Sequence, residues 1–179
     1  IVGTVFSKIF ETNRGYLNVI LRALHLDFLC QQWLATPKTA LACLLFVNIW
    51  QWTGYSMLMY YTNMLNIPQD LYESATIDGA GSFKQFVYIT FPLLRGTHIT
   101  LIILDILGAL KFFDLSYVLT DGGPAHATET FSTYIYTKSF STFQQGQAST
   151  IVVFMFLIAM VLTVIQLKIY YKKDRKEMN

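Results

Sequence analysis

The chain has 179 residues, of which 54% are hydrophobic and 13% are charged, and its formal net charge at pH 7 is +2. Because a typical soluble domain has about 25% charged residues, this composition argues against a soluble domain. The charges are also clustered, and no acidic or basic side chain occurs between residues 39 and 69 or between residues 139 and 167. About 20 apolar residues cross a bilayer core, so both neutral stretches are long enough to span, and we predict an integral membrane protein.

The predicted architecture is all-α, a polytopic bundle of membrane helices that forms one domain over residues 1–179. Residues 1–10 are apolar but too short to cross a bilayer, and they lack an initiating Met and the marks of a secretory signal. We therefore expect them to be the end of an upstream span. The predicted segments that follow are an outer segment at 11–37, a span at 38–66, a cytoplasmic loop at 67–94, a span at 95–119, an outer loop at 120–147, a span at 148–171 and a basic cytoplasmic tail at 172–179.

The orientation of these segments is predicted from the C-terminal end of the chain. After the interfacial pair Tyr170 and Tyr171, the tail carries an excess of basic residues, namely Lys172, Lys173, Arg175 and Lys176. The positive-inside rule places such a tail in the cytoplasm. Counting back through the spans places residues 67–94 inside and residues 11–37 and 120–147 outside.

The predicted span at 95–119 contains three charged residues, Asp105, Lys111 and Asp114. Charges at the centre of a span cost roughly 2.5–3.5 kcal/mol each and rarely face lipid. Lys111 and Asp114 are three residues apart, so on one helix they would share a face and be able to pair. Two interpretations stay open: both side chains snorkel to water at the outer end of the span, or both line a polar pathway.

The cytoplasmic loop at 67–94, the polar island, lies between two apolar runs. Pro68 suits the first turn of a helix, where its missing N–H has no partner in any case. We expect a helix over 69–78 that ends at Gly79, because glycine readily adopts the left-handed conformation at helix C-termini. Glu73 and Asp78 in this helix would offer anionic positions to a basic partner.

A second short helix is predicted after the glycines of the polar island. Ser82 and Gln85 have the spacing of a capping box, which predicts a helix that begins at Phe83. Pro92 is expected to end or kink this helix. Its predicted apolar face comprises Phe83, Phe86, Val87 and Thr90. Such a pair of helices would form a compact knob for a soluble partner, although the pattern also fits an ordinary amphipathic helix–turn–helix at the membrane interface.

The spacing of residues in the polar island resembles the EAA loop of permease subunits in bacterial ABC importers. The order is Glu-x-Ala-x-x-Asp-Gly, then nine residues, then Ile-x-x-Pro. Ser74 replaces the second alanine of the family motif, and Phe91 replaces the leucine before the proline; both differ in size rather than in kind. The residues that match the motif are Glu73, Ala75, Gly79, Ile89 and Pro92.

Further stretches narrow the resemblance to the maltose-permease-like sugar importers. Residues 113–124, which include Gly122-Gly123-Pro124, are similar to the segment that follows the EAA loop in carbohydrate-importer permeases. Residues 128–130 and 134–136, and the stretches around Trp33 and Trp50, match the same subfamily. The resemblance covers essentially the whole chain.

This resemblance implies a fold of the type I ABC importer permease kind, a set of partners and a set of coupling residues. In such importers two permease subunits pair, two ATP-binding subunits lie beneath them, and an extracytoplasmic solute-binding protein delivers a sugar. The EAA loop is the coupling helix that contacts the ATP-binding subunit. The positions implied for ATPase coupling are Glu73, Ser74, Ala75, Asp78, Gly79, Ala80 and Pro92. The partners would hydrolyse the ATP, since this chain has no Gly-x-x-x-x-Gly-Lys phosphate loop.

Candidate residues for the substrate pathway are polar side chains within the predicted spans. Asn48, Tyr55 and Asn63 recur at intervals of seven and eight, so they lie near one helix face. Lys111 and Asp114 are candidates in the next span. The alternative for each residue is a hydrogen bond between helices, which is common in membrane bundles.

We predict no catalytic residues, no cofactor, no metal site and no nucleic-acid partner. His25, His98 and His126 are scattered, and no Cys/His group has the spacing of metal ligands. Two other functions stay open. One is an ABC permease for a non-sugar solute such as glycerol phosphate, with Lys111 serving the anion. The other is a membrane enzyme or assembly factor whose inner loop docks a different soluble partner.

Overall fold

The computed structural model describes the backbone of residues 1–177 and the side chains of residues 1–168. The basic side chains on which the orientation prediction depends lie outside the described residues. Throughout the described backbone the regular elements are helical and no strand occurs, so the prediction of an all-α fold is confirmed. The α-helices are α1 Val2–Ile9, α2 Tyr16–Ala23, α3 Pro37–Met64, α4 Gln69–Ile77, α5 Ser82–Gln85, α6 Phe91–Leu93, α7 Arg95–Leu110, α8 Asp114–Thr120, α9 Phe131–Tyr136 and α10 Gln145–Glu177.

The helices form two compact units. The first unit combines Ile1–Gln51 with Leu107–Val161, and the second combines Trp52–Ile106 with the residues from Leu162 onward. The boundary falls within α3 and within α7, so both units are built around parts of long helices.

The core of the first unit is small and apolar. Its fully buried members are Phe10, Cys43, Val47, Leu115 and Leu119. These residues come from the end of α1, from α3 and from α8. Close packing of α1 on α8 depends on Gly3, because a Cβ atom there would lie 3.1 Å from Val118 Cγ1. Small residues allow helix backbones in membrane proteins to approach in this way.

A buried asparagine organises the segment between α1 and α3. Asn18 is 2% exposed, and its amide nitrogen donates to the carbonyl oxygens of Thr12 at 3.0 Å and Gln31 at 3.1 Å. The indole N–H of Trp33 donates to Asn18 Oδ1 at 2.8 Å. One side chain therefore joins three points of this segment and leaves none of its own polar atoms unpaired, as burial of an amide requires.

The predicted span at 95–119 is not one continuous helix. α7 ends at Leu110 and α8 begins at Asp114, with Lys111 in the break. Lys111 and Asp114 therefore do not share the face of one helix. Both side chains are exposed, and the structure records no ion pair between them, so the pair that their spacing allowed does not form.

Within residues 1–168, α10 alone contains a stretch that is both long and apolar enough to cross a bilayer by itself, Gln145–Lys168. Only 6% of its most apolar window is buried inside the protein, so this helix presents its apolar side chains outward. The bent pair Ser82–Leu93 and Arg95–Leu110 meets the same test when it is counted together. α3 has 28 residues, about 42 Å at 1.5 Å per residue, which exceeds the 30 Å of a hydrocarbon core.

Candidate functional site

The first helix of the polar island ends in a complete C-terminal cap. α4 begins after Pro68 and ends at Ile77, with Gly79 at a φ of +74°. The N–H of Gly79 donates to the Thr76 carbonyl at 3.0 Å, and the N–H of Ala80 donates to the Ala75 carbonyl at 2.9 Å. This pair of bonds is a Schellman motif. It confirms Gly79 as the residue that stops the helix.

The second helix of the island begins without the predicted capping box. α5 starts at Ser82, its N-cap is Gly81, and no side chain caps it. The Gln85 amide, which was to reach back to the start of the helix, instead donates to the Ala80 carbonyl at 3.0 Å and to Thr76 Oγ1 at 2.9 Å. A capping box would need the side-chain carbonyl oxygen of Gln85 to accept from the backbone N–H of Ser82. The prediction is wrong because the Gln85 amide N–H groups bind Thr76 and Ala80 instead, which orients the side chain toward α4 and its cap.

Two side-chain contacts bind α4 to the helical segment that follows it. Gln85 holds Thr76 as described, and Tyr72 Oη lies 2.8 Å from Thr90 Oγ1. Thr90 is buried and Tyr72 is half-buried. Tyr72 and Thr76 are four apart and therefore share the inner face of α4.

The residues that the resemblance implies for coupling differ in their exposure within the polar island. Glu73, Ser74, Asp78 and Gly79 are exposed, whereas Ala75 and Ala80 are half-buried against the island. A Cβ atom on Gly79 would meet nothing within 4 Å, so the backbone at the turn is open to a partner. The island thus has an exposed polar edge, and the contacts of Tyr72 and Gln85 hold α4 against the helical segment that follows it.

Exposed apolar side chains accompany this edge, and sequence reasoning missed or misplaced them. Ile77 is 87% exposed, Phe83 80% and Tyr88 77%. The predicted apolar face comprised Phe83, Phe86, Val87 and Thr90; the first three are exposed, and only Thr90 is buried. Thr90 is the member of this face that contacts α4, through Tyr72. Exposed aromatic and aliphatic groups of this kind mark contact surfaces.

The helical segment changes its winding before Pro92 and its direction after it. Phe86–Thr90 forms a π-helical turn, which accommodates the proline ring against the carbonyl of Tyr88, four residues earlier. The helix ends at Leu93, and the axis bends by 63° before α7 begins at Arg95. The prediction that Pro92 ends or kinks the helix is confirmed.

A histidine joins the two sides of this bend. His98 Nε2 lies 3.1 Å from the Phe91 carbonyl oxygen, and Nδ1 lies 2.8 Å from Tyr60 Oη on α3. A carbonyl only accepts hydrogen bonds, so Nε2 carries the proton in the first contact. The ring also lies 4.6 Å from that of Phe91. His98 thereby connects the end of the island to both α3 and α7.

The candidate pathway residues Asn48, Tyr55 and Asn63 all lie on the single helix α3, as predicted, but they differ in exposure. Asn48 and Asn63 are half-buried, and Tyr55 is exposed. The Asn63 amide donates to the Met59 carbonyl of its own helix at 2.8 Å. For Asn63, the described contact is therefore within its helix rather than between helices.

A pocket of about 350 Å³ lies in the first unit, between α8 and α9. We call it the tyrosine pocket. Its lining includes Tyr117, Asp121, His126, Glu129, Tyr136, Thr137 and Ser141. Sequence reasoning singled out Gly122, Gly123 and His126 as parts of an outer loop, either a contact for the solute-binding protein or a simple turn, but did not predict a pocket. Among residues 1–168, no group of three or more His, Cys, Asp or Glu side chains is arranged to hold a metal ion.

Comparison with known proteins gives a consistent set of matches. Residues 4–175 match the protein family described as binding-protein-dependent transport system inner membrane component. The chain is 34% identical over 177 residues to the probable ABC transporter permease protein YurN of Bacillus subtilis, with 99% of this chain and 60% of that protein covered. It is 35% identical over 160 residues to the trehalose/maltose transport system permease protein MalF of Thermococcus litoralis, with coverage of 89% and 53%. The chain thus spans little more than half the length of these relatives.

The fold also matches a solved structure. The described chain superimposes on a bacterial ABC transporter involved in the import of the acidic polysaccharide alginate with a TM-score of 0.85, covering 96% of this chain and 59% of the other. The sequences are 23% identical, so this likeness concerns the fold alone.

Proposed function

Because the chain belongs to the family of binding-protein-dependent transport system inner membrane components, we propose that it is a permease subunit of an ABC importer that carries a sugar or an oligosaccharide. Members of this family are membrane subunits of transporters and not enzymes. The fold of α-helices is the type I ABC permease fold. Within that fold, the chain's contribution is to line a solute pathway and to couple it to ATP hydrolysis in separate subunits.

The observation that carries the proposal is the polar island. Glu73, Asp78 and Gly79 form an exposed edge, while Tyr72 and Gln85 hold α4 firmly against the segment behind it. A short helix that is rigid and exposed is suited to pass a motion from a partner to the rest of the chain. We therefore assign ATPase coupling to residues 69–92.

The proposed membrane arrangement keeps the predicted spans and orientation. The island lies in the cytoplasm beside the ATP-binding subunits, and residues 120–147 lie outside, where a solute-binding protein docks. α3 has the length to cross a bilayer, and the family's place in the inner membrane supports a multi-pass arrangement. The C-terminal end of α10 lies in the cytoplasm by the positive-inside rule.

Sugar as the solute class is supported by the relative that transports trehalose and maltose and by the nature of the candidate pathway. Asn48, Tyr55 and Asn63 are uncharged polar side chains that match hydroxyl groups without a net charge. Lys111 and Asp114, exposed on either side of the break between α7 and α8, are the charged candidates.

The test is co-purification combined with uptake. The full-length protein is expressed with its partner permease, ATP-binding subunit and solute-binding protein, and the complex is isolated in mild detergent through a tag on this chain. We expect the ATP-binding subunit to co-purify and Glu73→Lys to abolish its association or the ATPase activity coupled to transport. The matched control is Asp70→Lys, which makes the same charge change at an exposed position of α4 outside the motif.

The outcomes separate the proposal from its alternatives. If no ATP-binding subunit accompanies the intact complex, the island binds another partner and the coupling role is wrong. Equal effects of Glu73→Lys and Asp70→Lys would indicate a general effect of charge rather than a motif contact. Uptake assays with maltose, trehalose and glycerol 3-phosphate identify the solute class, and uptake of the phosphate alone would overturn the assignment to sugar.

A further inference from the structure

The tyrosine pocket has apolar walls made of stacked aromatic rings. The ring centroids of Tyr117 and Tyr136 lie 5.0 Å apart in an edge-to-face arrangement. Phe113 stacks on Tyr117 at 5.1 Å, and Phe140 supports Tyr136 at 5.2 Å. Each tyrosine is therefore held by a second ring, which fixes the orientation of the wall.

The rim of the same pocket is polar. Asp121 and Glu129 bring carboxylates to it, and Thr137 and Ser141 bring hydroxyls. His126 Nδ1 lies 3.1 Å from Glu129 Oε2, so one of the two carboxylates is already shared with an imidazole. Acceptors and hydroxyls thus surround an aromatic surface, and a volume of about 350 Å³ lies within the usual range of small-molecule pockets, about 300–1,000 Å³.

The loop that closes the pocket is rigidly held in an uncommon backbone conformation. Asp121, Ala125 and His126 have φ values of 49°, 49° and 60°, a region that residues with a Cβ seldom adopt and that clusters at ligand clamps. Beneath the loop, Thr128 Oγ1 donates to the Gly123 carbonyl at 2.7 Å, and Ser116 Oγ donates to the Thr128 carbonyl at 2.5 Å. Ser116 is fully buried. These bonds hold the loop in the conformation that lines the pocket.

We propose that the tyrosine pocket is a binding site for one end of the imported saccharide, on the outer side of the protein and made of residues other than the pathway candidates of α3. This inference rests on the proposed function, because it takes both the solute class and the outer position of residues 120–147 from it. The negative face of a tyrosine ring attracts the C–H face of a sugar. The carboxylates accept hydrogen bonds from sugar hydroxyls, and such charge-assisted bonds are the stronger kind.

The same features disfavour other ligands. Within residues 1–168 no group of three or more His, Cys, Asp or Glu side chains is placed to hold a metal ion, which gives no support to a metal as the ligand. His126 contacts Glu129 through Oε2, which leaves Oε1 to accept from a sugar hydroxyl but gives an organic cation one free carboxylate rather than two. A neutral polyhydroxylated ligand uses both the aromatic wall and the polar rim.

The experiment measures saccharide binding to the complete transporter in lipid nanodiscs, without ATP and without the solute-binding protein. The probe is whichever of maltotriose, trehalose and arabinotriose the wild-type transporter imports. We expect Glu129→Gln and Tyr136→Leu each to raise the Kd of the probe about tenfold, as the loss of one strong contact does. Tyr136→Phe keeps the ring and is expected to retain most of the affinity.

Two matched controls accompany these variants. Tyr134→Leu changes a half-buried tyrosine of the same helix that does not line the pocket, and Glu11→Gln changes an exposed carboxylate paired with Lys8. Both are expected to change the Kd by less than about twofold, as is usual for substitutions away from a site. Every variant is first checked for co-purification of the ATP-binding subunit, which shows that the complex is assembled.

The outcomes distinguish this proposal from the proposed function. If the complex assembles and imports the probe, but the pocket variants bind it like the controls, the pocket site is wrong and the importer function stands. If the variants lose docking of the solute-binding protein but keep the saccharide Kd, the pocket is a protein contact and the proposal is overturned. If none of the probes is imported, sugar import and the site that rests on it both fall.

Discussion

Tyr72 Oη lies 2.8 Å from Thr90 Oγ1, and this contact joins α4 to the π-helical turn eighteen residues further along the chain. α4 has nine residues, which is too short for a helix to be stable on its own in water. Its position therefore depends on such contacts and on the bonds of Gln85 to Thr76 and Ala80. If α4 couples to an ATPase, the force it receives passes through these bonds.

The first prediction concerns that contact. Tyr72→Phe removes the hydroxyl and keeps the ring, and the loss of one hydrogen bond of about 1 kcal/mol weakens the docking of α4 about fivefold. We expect less solute uptake per ATP hydrolysed, with normal assembly of the complex. Tyr61→Phe, at an exposed tyrosine of α3 outside the island, is the control and should leave the ratio unchanged. A normal ratio in Tyr72→Phe would mean that the contact does not transmit force.

The second prediction compares two glycines of the same turn. Gly79 has a φ of +74°, whereas Gly81 has a φ of −70°, and a Cβ atom would meet nothing within 4 Å at either position. Gly79→Ala forces a left-handed conformation on a residue with a Cβ, at a cost of about 1–2 kcal/mol, while Gly81→Ala is expected to be neutral. Limited proteolysis of the island in the purified complex measures the difference. Equal cleavage rates in the two variants would contradict the left-handed cap.

The third prediction concerns the buried amide of the first unit. Asn18→Leu leaves the half-buried Trp33 indole N–H and Thr12 carbonyl without their partner, and a polar group left unpaired away from water costs about 1–3 kcal/mol. The Gln31 carbonyl also loses its bond to Asn18, but Gln31 is exposed and can bind water instead. We expect a clear fall in the thermal stability of the detergent-solubilised complex. Asn66→Leu is the control, since Asn66 is exposed and its amide bonds only to the Thr62 carbonyl of the preceding turn. Similar melting temperatures for both variants would show that the network adds no stability.

The fourth prediction tests the charged candidates for the pathway. Asp114 begins α8 beside the break in the helical path, whereas Asp105 lies within the continuous helix α7. We expect Asp114→Asn to alter the KM or the rate of solute uptake more than Asp105→Asn does. Uptake assays on the two variants at matched expression decide the point, and small, equal effects would favour simple exposure of Asp114 to water over a role in transport.

Much of the polar island was predictable from the sequence because its main features are local. A glycine after a helix-forming run adopts a positive φ for steric reasons, and Gly79 does so. A proline disturbs the helix around it because it lacks an N–H, and the bend follows Pro92 as expected, although the π-helical turn before it was not predicted. The spacing of Glu73, Ala75 and Gly79 reproduces a family motif, and the family match bears out the resemblance on which the functional prediction was based.

The errors arose where residues have the spacing of a local pattern but another contact, or a break in the helix, prevents that pattern from forming. Ser82 and Gln85 have capping-box spacing, but Gln85 bonds instead to Thr76 and Ala80. Lys111 and Asp114 have the spacing of a helical pair, but the helix breaks between them. In each case a contact with another element, or a change in the direction of the chain, decided whether the pattern formed. The spacing of residues along the chain carries no information about either.

The sequence by itself determined the class of this protein, the place of its glycine stop and its family, because charge-free lengths, steric limits on φ and motif spacing are properties of adjacent residues. Only the tertiary structure decided which face of the island is exposed, where the helical path breaks and that a tyrosine-walled pocket exists. Tyr117 and Tyr136 are nineteen residues apart and separated by a loop with several left-handed residues. Their meeting depends on the hydroxyl network around Ser116 and Thr128, whose bonds form only when the loop has folded back on α8.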